Sequence, residues 1–256
     1  MTLRGSLGLM LALLWGCALH NETLPPIATP LQIASDRPSA EARVYVSDPL
    51  DDAVEVYRAL GRNRAPIAII KDGIHGPAGL AVDPGGDLYV ANTTSNTVTE
   101  YRRTGSTPVA TYSQGVLGPV AVAIDDAGTL YVANFDSFAQ SVLEFAKGST
   151  SPSTIISAPC GCYPIGLTVD SKANLFVAYD NFFEQTVLYQ YAQGSTYPVA
   201  VNLQLGTTRW ETAGLLFDKR ANLLVGNATL PGIQVFPPGA EKPRRLFGKR
   251  GSPRFL

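Results

Sequence analysis

Short apolar runs alternate with turn-forming residues along most of the chain, and one pair of runs occurs four times. Gly79-Leu-Ala-Val-Asp83 is followed, after a Gly-rich turn, by Leu88-Tyr-Val-Ala-Asn92. The pair recurs as Val122-Ala-Ile-Asp125 with Leu130-Tyr-Val-Ala-Asn134. It returns as Gly166-Leu-Thr-Val-Asp170 with Leu175-Phe-Val-Ala178, and as Gly214-Leu-Leu-Phe-Asp218 with Leu223-Leu-Val-Gly-Asn227. Two further runs follow each pair. One alternates apolar and polar positions and ends on an aromatic, as in Val98-Thr-Glu-Tyr101, Val142-Leu-Glu-Phe145 and Ile233-Gln-Val-Phe236. Alternation with a period of two predicts a strand with one face buried. The other run opens on Pro or Ser after a Gly-Ser-Thr turn, as at Pro108–Tyr112, Ser153–Ile156 and Pro198–Val201. Proline at a strand start suits a sheet edge, where a missing N–H does little harm.

The marker aspartates 83, 125, 170 and 218 are spaced 42, 45 and 48 residues apart. A period in this range predicts radially repeated four-stranded blades, so the expected fold class is an all-β propeller. Five blades are favoured, with a six-bladed or truncated six-bladed ring as the alternative. Pro30–Asp36 shares the Pro, aliphatic, Ala and Asp pattern of Pro77–Asp83 and is the expected first inner strand. Gly251–Leu256 looks like the start of a sixth. The expected layout is a targeting segment over 1–17, a Pro-rich tether over 18–29 and one propeller domain over 30–256.

Composition changes this picture little. Of 256 residues, 45% are hydrophobic and 16% charged, which suits many buried short strands and argues against disorder. A net charge of −1 removes the electrostatic case for nucleic acid.

The first residues do change it. Arg4 and the apolar run Leu7–Trp15 form a segment too short to span a bilayer permanently. The run ends Leu14-Trp15-Gly16-Cys17, which resembles the bacterial lipobox, with Trp15 where that motif has a small residue. The resemblance implies lipidation of Cys17 and an extracytoplasmic, envelope-anchored protein, at the outer membrane if there is one, as Ala18 suggests. Ordinary secretion with cleavage nearby is the competing reading. Removing Cys17 leaves Cys160 and Cys162, a pair suited to an oxidising compartment. A Cys-Gly-Cys disulfide would close a small, strained ring. Two free thiols or a soft-metal site are the alternatives, and the pair lacks a neighbouring His.

The Leu-Tyr-Val-Ala-Asn strands, the Gly-Leu-Ala-Val-Asp starts and Ser95-Asn-Thr-Val98 resemble NHL and YVTN-type β-propeller repeats over residues 30–248. Such propellers serve as protein binders, carbohydrate binders and scaffolds, and some are lyases or lactonases.

Up-and-down wiring puts two classes of loop on each end of a propeller. One face would then collect Phe135, Phe138, Tyr163, Tyr179, Asp180, Phe182, Phe183 and Trp210 with several acids. The other would collect most of the arginines and lysines. The aromatic face is the candidate binding surface for a protein or glycan, since stacking area combines there with directed hydrogen bonds. The plainer reading is that Phe138 and Phe182 plug gaps between blades. The repeated aspartates are expected to cap turns rather than ring a metal. Asn92, Asn134 and Asn227 are weighed as a ligand ring at the axial mouth.

No catalytic set, metal site or cofactor is expected. Only His20 and His75 are present. Asp48, Asn92, Asn134 and Asp180 loosely imitate the carboxylate and Asn metal site of gluconolactonase-like propellers. The functional expectation is therefore a membrane-tethered binding or scaffold module, with a metal-dependent lactonase or lyase as the alternative.

Overall fold

The structure, a computed structural model, describes residues 42–60, 65–159, 161–181, 185–203, 212–227 and 232–247. They form nineteen strands in five antiparallel sheets. The first blade holds β1 (Arg43–Asp48), β2 (Ala53–Arg58) and β3 (Ala68–Ile70). The second runs β4 (Pro77–Val82), β5 (Leu88–Asn92), β6 (Thr97–Tyr101) and β7 (Pro108–Tyr112). The third runs β8 (Pro119–Ile124), β9 (Leu130–Asn134), β10 (Ser141–Phe145) and β11 (Thr154–Ser157). The fourth is β12 (Tyr163–Val169), β13 (Leu175–Asn181), β14 (Gln185–Tyr191) and β15 (Pro198–Val201). The fifth is β16 (Thr212–Phe217), β17 (Leu223–Asn227), β18 (Gly232–Phe236) and β19 (Arg245–Phe247). The molecule is a five-bladed β-propeller. Residues 30–36 and 251–256, expected to supply a first and a sixth inner strand, lie outside the described residues, as do the segments 1–17 and 18–29.

Each inner strand stops one residue short of its marker aspartate, because that residue is committed to the turn. Asp83 Oδ1 accepts the Asp87 N–H at 2.8 Å, and Asp125 Oδ1 accepts that of Thr129 at 2.8 Å. Asp170 and Asp218 cap in the same way, and the side-chain amides of Asn174 and Asn222 also donate to their Oδ2 at 2.9 and 2.8 Å. These bonds hold the Asp218 carboxyl below its ordinary range, the Asn222 side chain being the largest cause. Local backbone capping therefore accounts for the repeat's most regular acid.

In the second and third blades the first two strands are buried on both faces. In the second blade Ala81, Tyr89, Ala91, Val98 and Tyr112 pack on Val122, Leu130, Val132, Leu143 and Phe145 of the third. The same forward-to-rear contact joins third to fourth and fourth to fifth. This explains why β5 and β9 are buried at every residue. The inner strands of the second and third blades lie close together. A Cβ on Gly79 would lie 2.6 Å from Ala121 Cα, so a side chain cannot fit without movement. Each described inner strand also carries an irregularity in register beside this point, between Pro77 and Leu80 in the second blade. Such bulges tighten local twist where strands converge.

The fifth blade departs from this rule. Leu216, at the position of buried Ala81, is 50% exposed, and Ile233, at that of fully buried Val98, is 39% exposed. No described blade covers its forward face.

Candidate binding face

The wiring read from the sequence sorts the loops as expected. Connections such as 71–76 and 113–118 share one end with loops 93–96 and 135–140, and hydrogen bonds join them. Asn92 Oδ1 accepts the His75 N–H at 3.1 Å, and Asn134 Oδ1 accepts that of Leu117 at 3.0 Å. Their amide groups donate onward, Asn92 to Thr99 Oγ1 at 2.9 Å and Asn134 to the Gly115 carbonyl at 2.9 Å. Both asparagines are fully buried. They lock the entry of each inner strand onto the end of the second strand, which corrects the axial ligand-ring reading for these two. The side chain of Asn227 lies outside the described residues.

A second device ties neighbouring blades at this end. Asp52 Oδ1 of the first blade accepts the Gly76 N–H at 2.6 Å, and Asn96 Oδ1 of the second accepts the Gly118 N–H at 2.7 Å. At the third-to-fourth seam the matching position holds Tyr163. Its ring meets Phe135 with centroids 4.9 Å apart at a 38° tilt. Two expected site residues are thus brought together, both half-buried.

Phe138 is placed differently. It is 94% exposed, at the tip of the third blade's loop. The loop is built to hold it there. Asp136 Oδ1 accepts the Phe138 N–H at 2.9 Å, the Asp136 carbonyl accepts the Ala139 N–H at 3.0 Å, and Gln140 donates to the Ser137 carbonyl at 3.0 Å. Leu50 on the first blade repeats this, 94% exposed with its N–H on Asp48 Oδ1 at 3.1 Å. Sequence reasoning passed over Leu50. The Asp-x-Leu and Asp-x-Phe spacings, Asp48 to Leu50 and Asp136 to Phe138, were the signal for a capped turn presenting an apolar side chain.

Tyr179 and Asp180 do not belong to the accessible surface. Tyr179 stands where Asn92 and Asn134 stand in their blades and is fully buried. Its hydroxyl lies 2.8 Å from that of Tyr191, and burial pushes its pKa up strongly. Asp180 is 2% exposed. The exposure of Phe138 corrects the reading of it as a plug between blades; Tyr179 fills such a gap instead, because the fourth blade lacks the Asn lock and occupies the space with a ring. Cys162, beside Tyr163, is buried and disulfide-bonded, while Cys17 and Cys160 lie outside the described residues. Phe182, Phe183 and Trp210 also lie outside them. Among the described residues no group of three or more His, Cys, Asp or Glu is placed to hold a metal.

The NHL repeat family model matches residues 75–101, the second blade from His75 to Tyr101. The chain is an NHL-type β-propeller repeat protein. No curated protein matches it by sequence. Among solved structures, this NHL-type propeller is similar to virginiamycin B lyase from Staphylococcus aureus, at 11% identity and a TM-score of 0.58, over 77% of this chain and 64% of that one. It is similar to hydrazine synthase from Kuenenia stuttgartiensis, at 16% identity and 0.59, over 84% and 59%. A chain of the nidogen/laminin complex aligns at 15% identity and 0.68, over 85% and 80%. The chain thus spans under two thirds of the first two. At these identities the likeness is one of fold.

Proposed function

We propose that the protein is an extracytoplasmic binding module, tethered through a lipid on Cys17, that docks a protein or glycan on the face carrying Phe138. The observation that carries this reading is a large aromatic, 94% exposed, on a turn with its own hydrogen bonds. An apolar ring in water contributes nothing to folding, whereas a rigid aromatic anchor suits a partner's pocket at low entropic cost. Leu50 offers a second apolar contact on the same face, and the Phe135–Tyr163 pair stiffens the seam behind Phe138.

The experiment is a glycan and envelope-protein array probed with wild type, Phe138→Ala and Leu50→Ala. Phe138→Ala is expected to weaken binding at least about tenfold while shifting stability by under about 0.5 kcal/mol. Equal binding by all three proteins rejects this face. Membrane fractionation of Cys17→Ala checks the tether, and retention in the membrane fraction rejects it. The lactonase or lyase alternative has the fold likeness to virginiamycin B lyase in its favour. A metal-free preparation inert toward lactones removes it.

A further inference from the structure

Leu50, Leu117 and Phe138 stand in water at one end of the propeller, and two of them rise beside carboxylates. Leu50 is 94% exposed on the turn from β1 to β2, between Asp48 and the pair Asp51 and Asp52. Phe138 is 94% exposed two residues after Asp136. Leu117 is 38% exposed beside the Phe138 loop, where the carbonyl of its neighbour Gly118 accepts the Phe135 N–H at 3.0 Å. We propose that the partner of this face is a basic amphipathic segment of another protein. Its apolar residues pack on Phe138 and Leu50 while its lysines and arginines meet the aspartates at their base. This rests on the reading of this end as the docking face, and it selects protein over glycan.

The charge at this end is unbalanced. Among the described residues its loops hold Asp51, Asp52, Asp72 and Asp136, with Asp48 at the end of β1, and the bases are Lys71 and His75. None of these carboxylates forms an ion pair among the described residues, where the ion pairs belong to Arg102 at the other end. At that other end Arg102, Arg103, Lys147, Lys172, Lys219 and Arg220 stand among the turn-capping aspartates, so uncompensated negative charge is particular to the docking face.

The fold does not need this charge. Asp52 and Asn96 occupy matching places in the first and second blades. Both adopt a left-handed backbone, with φ of 47° and 56°. Both accept an N–H from the entry of the next blade, Gly76 at 2.6 Å and Gly118 at 2.7 Å. A neutral amide suffices at Asn96, so the seam needs an acceptor at Asp52 and not an anion. Asp136 uses Oδ1 for the Phe138 N–H at 2.9 Å, and Asp48 uses Oδ1 for those of Leu50 and Asp51 at 3.1 and 3.2 Å. An asparagine oxygen would serve there too. Charge held where folding asks only for an acceptor is available to a partner. Apolar tips with a charged rim match an anchor and its surround, and complementary cations steer approach and set partner choice. Leu50 has no ring face to stack on a sugar, which favours a protein surface. The capped turns fix both tips before binding, so little ordering cost remains.

The test is fluorescence anisotropy on the whole protein with labelled synthetic peptides of Lys-Leu, Lys-Ser and Glu-Leu repeats. The Lys-Leu peptide is expected to bind, and the other two at least about tenfold more weakly. Asp52→Asn and Asp136→Asn keep the acceptor and remove the charge. Each should weaken the Lys-Leu peptide about two- to fivefold, and affinity should fall as salt rises past about 0.15 M. Phe138→Ala should weaken it about tenfold. Asp126→Asn, on an exposed turn at the other end, should leave affinity unchanged. No binding of the Lys-Leu peptide, equal binding of the Lys-Ser or Glu-Leu peptide, or equal affinity in the Asp52→Asn, Asp136→Asn and Asp126→Asn proteins overturns the proposal. Loss in Phe138→Ala with full affinity in both aspartate variants overturns the basic partner and leaves the docking face standing, as does capture of a glycan that depends on Phe138. Full affinity in both Phe138→Ala and Leu50→Ala overturns the docking face as well.

Discussion

Asn134 shows how little a residue type says until its surroundings are known. At a loop entrance an asparagine can serve a ligand, and three such residues invite that reading. In the fold Asn134 is fully buried, its Oδ1 takes the Leu117 N–H, and its amide serves the Gly115 carbonyl. Asn134→Ala would strand a backbone donor and acceptor. It should cost about 1–3 kcal/mol, read as a lower denaturant midpoint at unchanged slope. Asn134→Asp keeps an acceptor for Leu117 but loses the donor for Gly115, so it should fall between the two. The aspartates followed the opposite course. Their place just before a Gly-rich turn already pointed to capping, and the bonds from Asp83, Asp125, Asp170 and Asp218 to the fourth residue onward bear that out. The difference is one of range. A cap reaches four residues along the chain and is legible there, whereas the asparagine locks reach seventeen residues back.

Among the elements, strand identity was legible almost throughout. The strands expected at 98–101, 142–145 and 233–236 are β6, β10 and β18, each beginning one residue earlier. The inner strands begin earlier than their apolar runs suggest and end before the aspartate, because bulge and cap both act at their ends. Their crowding was not legible. Gly79 reads in sequence as a strand-weakening residue, yet the third blade's Ala121 approaches it too closely for a side chain. Gly79→Ala should destabilise by about 1–3 kcal/mol, measured by equilibrium unfolding, with far-UV dichroism unchanged. A stable Gly79→Ala protein would mean that the inner strands can separate at little cost.

At the scale of the whole molecule, aromatic burial sets the response to base. Tyr89, Tyr101, Tyr112, Tyr131, Tyr179 and Tyr191 all have raised pKa values, with burial the largest cause in each. In the unfolded chain these phenols ionise near pH 10. A group whose folded pKa is raised stabilises fully below its unfolded value, and that contribution is lost as pH rises beyond it. Stability should therefore hold up to about pH 10 and then fall steeply, with phenolate absorbance appearing together with unfolding. A denaturant midpoint unchanged from pH 9 to 11.5 contradicts this. The same scale separates two ends with different chemistry. Capped turns present Phe138 and Leu50 at one, and the turns at the other carry Arg102, Arg103, Lys147, Lys172, Lys219 and Arg220.

The sequence by itself determined the repeat, the four-stranded unit, the capped turns and the division of loops between two ends. These follow from periodicity, chain direction and interactions spanning a few residues. Only the tertiary structure decided which polar and aromatic residues reach the surface. Tyr179 and Phe138 carry similar rings on the same class of loop or strand end, yet one is sealed between blades and the other stands in water. That outcome depends on the neighbouring blade, whose contacting residues are some forty positions away.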